Sequence, residues 1–308
     1  MSKFGCLAFS FTLLLAAPWS AGAGEKGILL LAHGGSAEWN GRVTELAARI
    51  DGTHPTEVAF GMATRSNIQT AVDRLIARGV SEIVAVPLFI SSWSSVITST
   101  EYLLGQRAGA PAALAAFARM DHSSGGKAHG GATHAGGHRG DATADATAPV
   151  SASVPIRMTR ALNNHRIAAE ILTTRAQSIS RDPSTESVVI VAHGPNDEDQ
   201  NRRWLADLAS LAEHVGTRGN FATIDYLTLR DDAPEPVRDR ATTELREVVR
   251  KRTAEGRRVL IVPLLMSFGG IERGLRERLD GLTYAMPTAG LMPDDRLGAW
   301  VREMAASR

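Results

Sequence analysis

Apolar residues along the chain fall into short uninterrupted runs, separated by stretches in which they recur every three or four positions. The runs lie near 27–32, 57–62, 82–89 and 154–158, and again near 187–192, 221–228, 257–265 and 283–286. Continuous Val, Ile and Leu without polar alternation reads as strands covered on both faces, as in a parallel sheet. Between them, 42–50, 68–78, 199–215 and 237–254 carry helical spacing, and Gly79 is placed to end the second helix. Strand–helix alternation of this kind predicts an α/β fold, a doubly wound parallel layer with right-handed crossovers.

The pattern is written twice. "GILLLAHGG" (27–35) matches "VVIVAHGP" (188–195), and "AVDRLIARGVSEIVAVP" (71–87) matches "ELREVVRKRTAEGRRVLIVP" (244–263). An apolar pair follows each, Leu88-Phe89 and Leu264-Leu265, and 156–172 resembles 283–301. The expected organisation is therefore two repeated halves, 24–182 and 183–308, facing a central cleft. In such sheets ligands bind beyond the carboxyl ends of the strands, which is where His33 and His193 fall.

One segment breaks the symmetry. Residues 106–153 have no counterpart in the second half. Within them 111–120 has the spacing of a helix, and the rest, rich in Gly, Ala, Ser and Thr, cannot bury a core and reads as a loop. This insertion carries His122, His129, His134 and His138. The first residues also stand apart: Lys3, an apolar stretch from Leu7 to Pro18 and Ala21-Gly22-Ala23 have the form of a secretory signal peptide, 1–23. The expectation is a periplasmic or secreted protein with no stable membrane insertion after cleavage, since the apolar run is shorter than a spanning helix needs.

Composition narrows the chemistry. The formal net charge is +1, with Lys+Arg 34 against Asp+Glu 33, and no basic stripe or aromatic ladder points to nucleic acid. The single cysteine, Cys6, lies inside the signal. The mature chain then has no disulfide, thiolate nucleophile or Cys ligand, and any metal is held by nitrogen and oxygen donors.

A histidine followed by glycine at a strand tip reads in two ways. It is turn punctuation with a satisfied imidazole, or a proton acceptor or metal ligand reaching into a cleft. Asn40 and Asn201 recur at nearly the same offset and are expected to help cap the following helices. The insertion's histidines, spaced seven, five and four residues apart, match no closed zinc pattern. They read either as a solvated linker or as a flexible gatherer of divalent metal. His54, His165 and His214 read as surface or packing residues.

The order of an apolar strand, "AHG", a helix and "GVSEIVAVPLF" resembles the class II tetrapyrrole chelatases, specifically the sirohydrochlorin cobaltochelatase or ferrochelatase (CbiX-like) type in its long duplicated form. The resemblance implies chelatase-like, flavodoxin-like halves and insertion of a divalent metal, Co²⁺ or Fe²⁺, into a carboxylate-rich tetrapyrrole, with no organic cofactor. It places the family's first histidine at His33 and His193, as catalytic and metal-binding residues. An imidazole suits both the removal of pyrrole protons and contact with Co²⁺, Fe²⁺ or Ni²⁺.

The family's second histidine, after the third strand, is missing from both copies: "ISSWSSVITSTEYLLG" (90–105) and "MSFGGIERGLRERL" (266–279) contain none. Glu272 stands there as a candidate base, alternatively a solvated partner of a nearby arginine. Trp93, with Ser92 and Ser95, is a candidate to contact a flat macrocycle, alternatively a rim or core tryptophan. The expected partners are a tetrapyrrole and a metal ion, and the duplication supplies a built-in partner, favouring a monomer. The other reading is a periplasmic metal- or tetrapyrrole-binding protein without turnover.

Overall fold

The computed structural model describes residues 25–124 and 146–307. The first half contributes β1 (Lys26–Ala32), α1 (Ala37–Asp51), β2 (Thr56–Phe60), α2 (Arg65–Ala77), β3 (Glu82–Pro87), α3 (Ser95–Leu103), α4 (Leu114–Ser124), β4 (Ile156–Met158) and α5 (Arg166–Gln177). The second contributes β5 (Glu186–Ala192), α6 (Glu198–Gly219), β6 (Thr223–Thr228), α7 (Glu235–Ala254), β7 (Arg258–Leu264), α8 (Gly270–Arg278) and α9 (Arg296–Ala306). Two parallel sheets result, ordered β2-β1-β3-β4 and β6-β5-β7. The α/β fold expected from the alternation is the fold observed.

The uninterrupted apolar runs have a simple cause. Successive strand residues point to opposite faces, and here both faces are covered. Ile28, Leu30 and Ala32 of β1 share one buried layer with Val188, Ile190 and Ala192 of β5 and with Trp300 of α9. Leu29 and Leu31 instead meet Val72 and Leu75 of α2, while Val189 and Val191 meet Leu245 and Val249 of α7. One hydrophobic layer therefore lies between the two sheets, with a separate outer layer behind each.

The closing helices exchange sides. α9, at the end of the second half, packs on α1 and β3, whereas α5, at the end of the first, packs on α6 and β7. Arginines seal both crossings: Arg157 Nη2 donates to the Ala305 carbonyl at 2.6 Å, and Arg175 Nε to the Gly290 carbonyl at 2.8 Å. The inner face of each sheet is thus covered in part by the closing helix of the other half.

Several boundaries differ from expectation. The helix expected over 42–50 begins at 37, because the Ser36 hydroxyl accepts from Trp39 N at 3.2 Å and caps it. The helix expected over 199–215 runs to Gly219 and stops at Asn220, in the left-handed conformation (φ 57°). The strand expected over 283–286 shrinks to one bridge, Leu260 with Ala285, because Pro287 follows shortly and has no N–H to continue the ladder. α3, α5, α8 and α9 lie outside the helices expected from periodicity.

The 106–153 segment is partly built into the fold. The helix expected over 111–120 is α4, and its Leu114 and Phe117 join the first half's outer layer. The returning arm is pinned by Val150 N to the Leu103 carbonyl at 2.8 Å, and by Ser151 N to Gln69 Oε1 at 2.9 Å. The signal-peptide residues, and the side chains of His122, His129, His134 and His138, lie outside the described residues. Among the described residues no helix is long and apolar enough to cross a membrane.

Candidate functional site

The two "AHG" turns are built alike. Gly34 (φ 78°) and Gly194 (φ 75°) take the left-handed conformation that lets the chain leave the strand tip and enter α1 or α6. A Cβ on Gly194 would lie 2.5 Å from Thr228 Cβ; one on Gly34 would lie 3.4 Å from Phe60 Cβ. The asparagines do not cap the helices: Asn40 pins the first turn, and Asn201 ties α6 to the end of β6. Asn40 Oδ1 accepts from Gly35 N at 3.0 Å, and Asn201 Oδ1 accepts from the Thr228 hydroxyl at 2.8 Å. The α6 cap is Asp197, accepting from Gln200 N at 2.8 Å.

The two histidines are not equivalent. His33 is exposed, and its Nδ1 lies 2.7 Å from the Gly34 carbonyl oxygen. A carbonyl only accepts, so Nδ1 carries the hydrogen and a neutral ring keeps Nε2 as its lone-pair nitrogen. That leaves an exposed imidazole oriented to accept a proton or bind a metal. His193 is half-buried; its Nε2 is buried 3.3 Å from Asp232 Oδ2 without forming a hydrogen bond to it.

The loop after β3 is held from two directions. On its own side, Ser92 N donates to Asn163 Oδ1 at 2.7 Å and Ser92 Oγ accepts from Ala161 N at 2.9 Å, zipping it to the loop after β4. From the second half, Trp204 Nε1 of α6 donates to the Trp93 carbonyl at 2.8 Å. Trp93 Nε1 in turn donates to Asp207 Oδ2 at 3.0 Å. Burial pushes the Asp207 carboxyl above the usual aspartate range, with the Trp93 bond and Arg160 pulling the other way. Two guanidinium groups sit over the Trp93 ring, Arg203 at 4.7 Å from its centroid and Arg160 at 5.8 Å.

This arrangement walls a cleft of about 630 Å³ at the carboxyl ends of β3 and β4, open to solvent and completed by the start of α6. Ser92, Trp93 and Ser94 line it, together with Arg107, Arg160, Arg203, Glu101 and Asp199. A volume of this order accepts a small organic ligand. Three arginines against two carboxylates, beside an indole and several hydroxyls, favour a flat anionic guest over a cationic one.

The structure thus brings Ser92 and Trp93 into one cleft, with Ser94 rather than Ser95 beside them. His33, His193 and Glu272 do not line it. Glu272, in the first turn of α8, is engaged by Arg276 Nε one turn on, the arrangement of a helix-surface pair. Among the described residues no group of three or more His, Cys, Asp or Glu side chains is placed to hold a metal ion. Arg107, Arg160, Arg203 and Asp207 escaped the sequence reading: they are scattered over a hundred positions with no shared motif, and only the tertiary fold gathers them. The tryptophan in an otherwise Ser-rich loop was the one local signal.

Comparison with known proteins agrees with this architecture. The CbiX family model matches residues 27–179. SirB from Bacillus subtilis with Fe³⁺ superposes with a TM-score of 0.58 at 15% identity, covering 92% of this chain and 96% of that one. The sirohydrochlorin chelatase SirB from Bacillus subtilis subspecies spizizenii in complex with cobalt gives 0.53 at 14% identity, covering 91% and 95%. DR2241 from Deinococcus radiodurans, described as similar to chelatases with two additional novel domains, gives 0.53 at 16% identity, covering 92% of this chain and 55% of that one. No curated protein matches the chain. At these identities the structural likenesses speak for the fold, and the family model speaks for the lineage. Through residues 27–179, which carry His33, Ser92 and Trp93, the chain belongs to the CbiX family.

Proposed function

We propose that the protein is an exported metal chelatase that inserts a divalent metal, Co²⁺ or Fe²⁺, into a sirohydrochlorin-type tetrapyrrole. The observation that carries this reading is the pairing of CbiX membership over residues 27–179 with an exposed imidazole at the tip of β1 in that same half, its Nε2 kept as acceptor by the Nδ1 contact to Gly34. Insertion releases two pyrrole N–H protons as the metal takes the macrocycle nitrogens. His33 accepts protons at Nε2 and, being exposed, returns them to water. A neutral imidazole also suits transient contact with the incoming Co²⁺, Fe²⁺ or Ni²⁺. His193 is the weaker candidate, because its Nε2 is buried beside Asp232. Glu272 serves the proposal less well, since Arg276 already occupies it.

Export rests on the signal-like residues 1–23, and the insertion's histidines are proposed to gather metal near the fold. Fractionation of cells expressing the full chain tests the first, and loss of signal residues from the mature N-terminus is the expected result.

A second reading, a binder without turnover, is favoured by the histidine-free loops after β3 and β7 and by the lack of a three-ligand metal cluster among the described residues. Mixing the purified protein with sirohydrochlorin and Co²⁺ and following absorbance separates the two. Insertion faster than the protein-free rate supports the chelatase. Stoichiometric uptake at the uncatalysed rate supports the binder.

A further inference from the structure

The cleft's aromatic platform is capped by the protein's own charge. Trp93 and Arg203 both line the cleft, and the Arg203 guanidinium sits 4.7 Å from the indole centroid, within range of a cation–π contact. A planar guest stacking on that face takes the position Arg203 holds. The indole cannot rotate away to offer another surface cheaply, because Asp207 holds its Nε1–H and Trp204 holds its backbone carbonyl. Arg203, by contrast, is an exposed side chain on the first turns of α6, free to swing along the cleft wall. Asp207 lies one helical turn beyond it, so a single face of α6 both anchors the indole and covers it.

We infer that Arg203 is a specificity-determining residue that biases the Trp93 platform toward guests both flat and anionic. A flat guest with carboxylates displaces the guanidinium and then pairs with it, recovering what the displacement costs. A flat guest that is neutral or cationic displaces it and recovers nothing. The cap's strength in an exposed cation–π contact makes that unrecovered cost roughly two- to five-fold in affinity. Arg160, 5.8 Å from the same ring, and Arg107 add to the anionic preference without covering the indole as closely.

The inference rests on the proposed function only for the flatness of the guest, and it is tested without metal. Two metal-free porphyrins of similar size, one bearing four carboxylates and one bearing four quaternary ammonium groups, are titrated against wild type, Arg203→Ala and Arg203→Lys, with Kd read from the shift of the porphyrin absorbance band. Wild type binds the carboxylate porphyrin more tightly. Arg203→Ala tightens the cationic porphyrin about two- to five-fold and leaves the anionic one unchanged or weaker, so the ratio narrows. Arg203→Lys keeps the charge but not the planar cap, and falls between. Equal ratios in wild type and Arg203→Ala, or no binding of the carboxylate porphyrin to wild type, overturns the inference. Failure of metal insertion with a narrowed ratio overturns the proposed chelatase and leaves the selectivity device standing.

Discussion

The Trp93 indole of the first half donates to the Asp207 carboxylate of the second at 3.0 Å, and this bond joins the two halves at the mouth of the cleft. Its carboxyl is held above the usual aspartate range chiefly by burial. A carboxyl with a raised folded-state pKa stabilises the fold while protonated, and that contribution is lost as pH climbs from about 4 through the folded value. Asp207→Asn keeps an oxygen for the indole and does not ionise. Urea midpoints at about pH 3.5 and about pH 7 should therefore show the variant gaining on wild type at the higher pH; parallel midpoints contradict the account.

The two strand-tip glycines should differ in cost. Both need the left-handed region, worth about 1–3 kcal/mol against alanine in a constrained turn. At Gly194 the new Cβ also meets Thr228 Cβ at 2.5 Å, a backbone-anchored atom, whereas at Gly34 the nearest contact is 3.4 Å. Gly194→Ala is expected to destabilise by more than Gly34→Ala, measured by chemical unfolding. The reverse order contradicts the assigned turn geometry.

Trp300 tests the exchange of closing helices. It is fully buried on α9, in the layer that both sheets share. Trp300→Ala is expected to cost about 3–5 kcal/mol and to leave unfolding a single transition, because neither half keeps its covering alone. Two separate transitions, with the first half unaffected, would show that α9 is dispensable to the first sheet.

Most of the sheet was legible in the sequence because its strands are buried on both faces. β1, β3, β5 and β7 announce themselves as unbroken apolar runs, and the repeat brings out the matching turns. α3 was not, since "SVITSTEYL" is rich in β-branched and hydroxyl residues that form helices poorly, and tertiary burial of Ser99 and Thr100 overrides that preference. α9 is short, and the sheet it covers lies more than two hundred positions earlier in the chain, a relationship no local period encodes. The site divides the same way. Trp93 and Ser92 stood out in their loop, while Arg160, Arg203 and Asp207 acquire meaning only when α6 closes on that loop.

The insertion makes a separate prediction. Deleting 125–145, which removes His129, His134 and His138, should leave the unfolding midpoint within error of wild type and lower equilibrium uptake of Co²⁺ and Ni²⁺ measured by dialysis. Unchanged uptake returns those histidines to the role of a linker.

The most direct test concerns the strand-tip imidazoles. Initial rates of Co²⁺ insertion into sirohydrochlorin are compared for wild type, His33→Ala and His193→Ala at matched protein concentration. The account predicts a loss of about 10²–10⁴-fold for His33→Ala, the range for removing a general base, and less than about tenfold for His193→Ala. A His33→Ala protein that inserts metal as fast as wild type contradicts it.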